Sequence, residues 1–160
     1  MNAVAIRPGV PADAAALARL FRASRAAAMP WLPVLYTPEE DLAWMRGRVL
    51  TGCEVRVAWA GDVPAGFVAR AGEWIEHLYL APEMRRRGIG TALLAAVTAD
   101  DPPLLRLHAF ARNAAARAFY EAHGFVAVAQ SDGSSNEEGE PDLLYERRRG
   151  APHTEGEPSP

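Results

Sequence analysis

The spacing of apolar residues along the chain predicts a mixture of strands and helices. Apolar residues alternate with polar or small ones from Val55 to Trp59, the pattern of a half-buried strand, whereas Leu17, Leu20 and Phe21 recur at helical spacing. Strands are predicted over residues 3–7, 55–59, 64–70, 74–80, 104–109, 125–130 and 142–147. Helices are predicted from Pro11, from Thr37 to about Gly52, after Gly88 and over residues 113–123. This order indicates a mixed α/β sheet with helices on both faces.

Local signals mark where several of these elements begin or end. Thr37, Pro38 and Glu40 form the start of a helix, with threonine as the N-cap and glutamate completing a capping box. Turn residues at Gly61-Asp62 and at 71–73 separate three consecutive strands. We therefore expect an antiparallel meander before the third helix.

Length and composition describe an ordinary globular chain. Its 160 residues predict one domain over 1–147, followed by a disordered tail over 148–160. The net charge of −3 argues against a dedicated nucleic-acid binder. Charged residues interrupt the N-terminal region, which predicts no membrane span and a cytoplasmic protein. The single Cys53 excludes an intramolecular disulfide, and the four histidines lack the spacing of metal ligands, so no metal is expected.

A basic, glycine-containing loop carries the strongest functional signal. An apolar strand over 75–80 leads through a short turn into Arg85–Gly90, which opens directly into an Ala/Leu-rich helix. Helix N-termini present backbone N–H groups and a positive dipole end, and glycines let an anion approach the backbone. The dinucleotide fingerprint and the nucleotide-triphosphate loop both need residues that are missing here. The loop therefore predicts a site for a pyrophosphate.

A second motif lies downstream and makes the first more specific. Asn113 begins a helix that carries the pair Phe119-Tyr120, and Gly124-Phe125 then leads into a strand. Arg85, Gly88 and Gly90 fit a loop of the form Q/R-x-x-G-x-G/A. Together the two motifs resemble the GNAT superfamily of acetyl-CoA-dependent N-acetyltransferases, over roughly residues 74–128.

The resemblance implies both a fold and a cofactor. The fold is a mixed, mostly antiparallel central sheet of six to seven strands, with helices on both faces and a splayed strand pair at the cofactor site. The cofactor is acetyl-CoA, used as the acyl donor, with its pyrophosphate on the loop and its pantetheine arm along the preceding strand. The residues implied to bind acetyl-CoA are Leu78, Tyr79, Leu80, Arg85, Arg86, Arg87, Gly88, Ile89, Gly90, Thr91 and Asn113.

Two residues are candidates for proton transfer. The resemblance implies that Tyr120 gives a proton to the departing coenzyme A thiolate, although packing in the helix is the alternative. Glu76 is a charged residue in an otherwise apolar strand, on the same face as Trp74 and Leu78 by period-two counting. It is either the base that accepts the amine proton or an exposed strand carboxylate, and a water chain is another candidate base.

The sequence gives less specific evidence for the site that binds the acceptor amine. By analogy with the family, Trp31 and Tyr36 contribute to an acceptor pocket together with Glu76, and packing over the sheet is the alternative. The expected function is transfer of an acetyl group directly to a primary amine of a small molecule or protein. A non-catalytic acyl-CoA-binding regulatory domain is the rival function. The acceptor, the acyl-chain preference and the existence of a homodimer are left open.

Overall fold

The computed structural model describes residues 4–150, and the chain divides after Asp100 into two compact units. Ala3, in the first predicted strand, and residues 151–160, in the predicted tail, lie outside the described residues. The first unit contains β1 (Ala5–Pro8), α1 (Ala14–Ala28), α2 (Pro38–Trp44), α3 (Leu50–Gly52), β2 (Glu54–Ala60), β3 (Val63–Ala71), β4 (Trp74–Leu80) and α4 (Ile89–Val97). The second contains β5 (Leu104–Phe110), α5 (Ala114–Ala122), β6 (Val126–Ser131) and β7 (Asp142–Arg148).

The first unit is built on an antiparallel meander in which each strand pairs with the next along the chain. Gly61 and Gly72 occupy the two hairpin turns with φ of 63° and 60°, a conformation that glycine adopts without steric penalty. The predicted turns at these positions are confirmed. Together with the antiparallel strands of the second unit, the meander confirms the predicted fold class.

Helices cover both faces of this meander. On one face, Val57 and Phe67 are fully buried in a cluster with Leu17 of α1 and with Met45. On the other face, Gly66 allows α4 to pack closely, because a Cβ there would lie 3.2 Å from a methyl group of Leu93. Apolar residues on both faces of the central strands therefore form two layers of core, as expected for a sheet between helices.

The helical stretch from Pro38 to Gly52 begins as predicted but is not one regular helix. Glu40 donates its N–H to Thr37 Oγ1 at 3.1 Å, and Thr37 donates its N–H to Glu40 Oε1 at 2.8 Å, which confirms the capping box. A π-helical turn over Met45–Val49 then separates α2 from α3. Met45 and Val49 are 0% and 2% exposed, so the wider turn keeps both ends of this segment in the core.

The strand β4 departs from simple alternation at Glu76. Ala69 pairs with His77 whereas Arg70 pairs with Ile75, so Glu76 is an extra residue without a partner on β3. Period-two counting therefore fails across this bulge. The prediction that Trp74 lies on the same face as Leu78 is wrong, because the bulge reverses the phase of the residues before it.

In the second unit, β7 is the central strand and pairs antiparallel with both β5 and β6. Tyr145 lies opposite Leu107 on one side and Ala127 on the other, and it is fully buried. The ladder continues to Arg148, opposite Leu104. The prediction that a disordered tail begins at residue 148 is therefore wrong for Arg148, which belongs to β7. The single domain over 1–147 stays a prediction.

Candidate active site

The basic loop leaves β4 through a 3-10 turn over Pro82–Met84 and enters α4 in an unusual backbone conformation. Arg86 has φ of 65° and Gly88 has φ of 77°, both in the left-handed region. A left-handed arginine is strained, and such residues cluster at functional sites. Arg85, Arg86 and Arg87 are all exposed, so the residues just before the helix carry three solvent-accessible guanidinium groups.

The helix that follows the loop offers backbone donors at this point. The first intrahelical hydrogen bond runs from the Ala92 N–H to the Gly88 carbonyl at 3.1 Å. The preceding N–H groups, at Ile89 and Gly90, have no carbonyl within the helix to which they can donate. Ile89 and Gly90 are buried, whereas Thr91 is exposed. A positive helix end, glycine and exposed arginines together form a local environment suited to an anion.

The backbone of β4 distinguishes between the three predicted pantetheine contacts. Ala81 donates its N–H to the Ala65 carbonyl of the adjacent segment at 2.8 Å, which makes this a hydrogen-bonded pair. Antiparallel pairs alternate, so Tyr79 also exchanges hydrogen bonds with Phe67 on β3. The backbone groups of Leu78 and Leu80 point toward the other edge of β4. Leu78 and Leu80 are therefore better placed than Tyr79 to pair with an extended ligand.

The side chains of β4 form an aromatic cluster that the sequence did not reveal. His77 lies with its ring centroid 5.0 Å from Trp44, 6.3 Å from Phe21 and 6.2 Å from Tyr79. Arg25 lies over Phe21 at 5.1 Å and donates to the Tyr79 hydroxyl at 3.3 Å. Burial, and then the positive charge of Arg25, lower the pKa of His77 to about 4. The imidazole is therefore neutral at neutral pH.

The bulge places Glu76 at the surface while its neighbour Ile75 is buried. Its carboxylate is close enough to Cys53 to affect the thiol: burial raises the pKa of Cys53, and the charge of Glu76 raises it further. An exposed carboxylate in a strand bulge is available for proton transfer with a ligand, but exposure alone also fits a solvated side chain. The role of Glu76 as a base stays a prediction.

The two aromatic residues predicted for the acceptor pocket lie in the segment between α1 and α2. Trp31 is half-buried, and Tyr36 is 48% exposed next to the exposed Val34 and Leu35. Arg22 of α1 donates to the Tyr36 carbonyl at 3.0 Å. Their contact with an acceptor stays a prediction.

Asn113 and Tyr120 lie at opposite ends of α5. Asn113 is the N-cap, and its side-chain oxygen accepts from the Ala116 N–H at 3.2 Å. Tyr120 is 9% exposed, with its ring 5.7 Å from Phe125 and 5.3 Å from Phe119. Asn113 therefore performs a capping function that needs no ligand, and the roles of both residues toward acetyl-CoA stay predictions.

Across residues 4–150, no group of three or more His, Cys, Asp or Glu side chains has the arrangement of a metal site. In the same part of the chain, every helix is too short or too polar to cross a membrane.

Similarity to known proteins identifies the family of this chain. A family model described as an acetyltransferase (GNAT) domain matches residues 51–127. An N-acetyltransferase of Escherichia coli K12, YafP, described as uncharacterized, is 30% identical over 136 residues, covering 81% of this chain and 86% of that protein. This chain belongs to the GNAT superfamily. The resemblance seen in the two motifs is thereby confirmed.

Solved GNAT structures share the fold over nearly the whole chain. A GCN5-related N-acetyltransferase from Rhodopseudomonas palustris is 26% identical with a TM-score of 0.74, covering 92% of this chain and 97% of that one. YncA from Salmonella typhimurium, solved with its cofactor acetyl-CoA, is 22% identical with a TM-score of 0.69, covering 92% and 94%. This likeness shows that the chain has the GNAT fold.

Proposed function

We propose that this GNAT protein transfers the acetyl group of acetyl-CoA directly to a primary amine. The observation that carries the proposal is the pair of left-handed residues, Arg86 and Gly88, immediately before α4. Strained backbone, a helix start and three exposed arginines occur together here. This combination is better explained by a pyrophosphate-binding loop than by a loop that only connects two elements. Membership of the GNAT superfamily, and a structural neighbour with acetyl-CoA, support the same cofactor.

In this proposal the cofactor is held mainly by main-chain groups. The N–H groups at the start of α4 bind the pyrophosphate, and Arg85, Arg86 and Arg87 add positive charge around it. The backbone groups of Leu78 and Leu80 pair with the amides of the pantetheine arm as an added strand would. No metal takes part, and the acetyl group arrives already activated as a thioester.

The chemistry requires a protonated primary amine to lose two protons and the sulfur to gain one. A lysine-like amine has a pKa near 10, so only about one molecule in a thousand is neutral at pH 7. Glu76, exposed in its bulge, accepts the amine proton either directly or through water. The neutral amine attacks the thioester carbonyl, and the nitrogen of the tetrahedral intermediate loses its second proton to water. The intermediate collapses with cleavage of the carbon–sulfur bond, and Tyr120 protonates the departing coenzyme A thiolate and then regains a proton from solvent.

The direct test is release of free coenzyme A thiol from acetyl-CoA across a panel of amines, with cofactor binding measured separately by calorimetry. Amine-dependent release supports the proposal. Acetyl-CoA binding without amine-dependent release would favour the regulatory domain instead. Absence of acetyl-CoA binding would remove the basis of both functions.

The acid is tested by Tyr120→Phe, with Phe119→Leu as a neighbouring control in the same helix. We expect the tyrosine change to lower kcat by about a hundredfold while acetyl-CoA binding is unchanged. The control should retain most of the turnover. Full turnover in Tyr120→Phe would show that another group protonates the thiolate.

A further inference from the structure

A hydrogen-bonded network joins α5 to the centre of β7. The Tyr145 hydroxyl donates to Glu121 Oε2 at 2.7 Å and accepts from Arg117 Nε at 3.1 Å. Arg117 also donates to the Ala111 carbonyl at 3.2 Å. Arg117 and Glu121 are one helical turn apart, so a single phenol from β7 connects both to the strand below.

The network is unusual in placing a polar group at the most buried position of the second unit. Tyr145 is 0% exposed, and a phenylalanine would fill the same space without a buried hydroxyl. The hydroxyl has both a donor and an acceptor, so its burial is satisfied. Burial, and then the hydrogen bond to Glu121, raise the pKa of Tyr145, which keeps the phenol protonated and able to donate.

We propose that Tyr145 is a positioning residue that fixes the rotation of α5 and thereby the location of the Tyr120 hydroxyl. Tyr120 precedes Glu121 directly and follows Arg117 by three residues, so it lies beside the bonded flank of the helix. Rotation of α5 about its axis would stretch the bonds to Tyr145 and displace the Tyr120 phenol at the same time. This inference rests on the proposed role of Tyr120 as the acid.

The end of α5 is fixed to β7 independently. Arg147 donates to the His123 carbonyl at 3.3 Å, and its guanidinium lies 5.2 Å from the Phe125 ring centroid. This second attachment holds the helix terminus in place when the Tyr145 hydroxyl is removed. Loss of the hydroxyl should therefore loosen the orientation of α5 without detaching the helix.

The test is a double-mutant cycle on kcat with Tyr145→Phe and Tyr120→Phe. We expect Tyr145→Phe alone to lower kcat by about tenfold, because small misplacement of a reacting group is costly, with the KM for acetyl-CoA unchanged. In the Tyr120→Phe background the same change should have little further effect, since no acid remains to be positioned. Glu121→Gln keeps an acceptor for the phenol and should restore most of the activity that Glu121→Ala loses.

Controls distinguish a positioning role of Tyr145 from a general loss of stability and from the possibility that Tyr120 is not the acid. Val57→Ala removes a buried side chain from the core of the first unit, so it should lower stability while leaving kcat near the wild-type value. An equal loss of kcat from Tyr145→Phe in both backgrounds, or no loss in either, would overturn the positioning role. Full turnover in Tyr120→Phe alone would instead reject the acid, and with it the reason for positioning.

Discussion

His77 makes the stability of the first unit depend on pH in a predictable direction. Its pKa of about 4 lies below the ordinary histidine value of 6.5, because the ring is buried among aromatic side chains close to Arg25. Between these two values the unfolded chain binds a proton that the folded chain does not. The free energy of unfolding therefore falls as pH falls from 6.5, and the loss is complete below about pH 4.

The magnitude follows from the two pKa values. Lowering the pH from about 7 to about 5 should remove roughly 2 kcal/mol of stability through this one ring. His77→Phe keeps an aromatic ring in the cluster and has no proton to bind. We expect denaturant unfolding at a series of pH values to show a drop for the wild type that is about 2 kcal/mol larger than the drop for His77→Phe.

The control for this experiment is His108→Gln, which removes a histidine from an exposed position on β5. Its unfolding free energy should follow the wild-type dependence on pH. If the wild type and His77→Phe lose stability in parallel between about pH 7 and pH 5, His77 is not buried as a neutral ring. The account of the aromatic cluster would then be wrong.

Four further substitutions test other features of the first unit. Gly88→Ala should lower the unfolding free energy by about 1–2 kcal/mol, because alanine is strained at φ of 77°. Gly47→Ala is the control: it also has open space for a Cβ, and it should raise the unfolding free energy by up to about 1 kcal/mol. Equal effects of the two substitutions in denaturant titrations would contradict the conformational explanation. Glu76→Gln should lower the pKa of Cys53, measured from the pH dependence of thiol alkylation, while burial keeps it above the ordinary value. Thr37→Ala should reduce stability by about 1 kcal/mol in the same titrations, and an unchanged midpoint would show that the capping box contributes nothing.

Local sequence signals predicted the elements well because each has a local cause. The capping box at Thr37 and the turn at Gly72 depend on residues within a few positions of each other, and both are confirmed. The bulge at Glu76 has no such cause in β4 alone, since it arises from the register against β3. Alternation counted along one strand cannot detect an extra residue of this kind.

Some features of the candidate site could also be predicted from local sequence, whereas others could not. The loop before α4 was predicted from consecutive residues, and its left-handed backbone at Arg86 adds a detail that sequence does not show. The cluster around His77 and the network around Tyr145 join residues that are far apart in the chain. The sequence around a histidine or a tyrosine in a strand does not show which distant residues its side chain contacts. These features therefore became visible only in the three-dimensional structure.

Glu76, the extra residue in β4, can be replaced by other residue types with little effect on the fold. Because position 76 has no partner on β3 and faces solvent, replacing its side chain removes no side-chain pair with β3 and opens no hole in the interior. Acidic, amide or hydroxyl groups can be exchanged there at little energetic penalty to folding. The chemical character of residue 76 can therefore change while the scaffold around it stays the same.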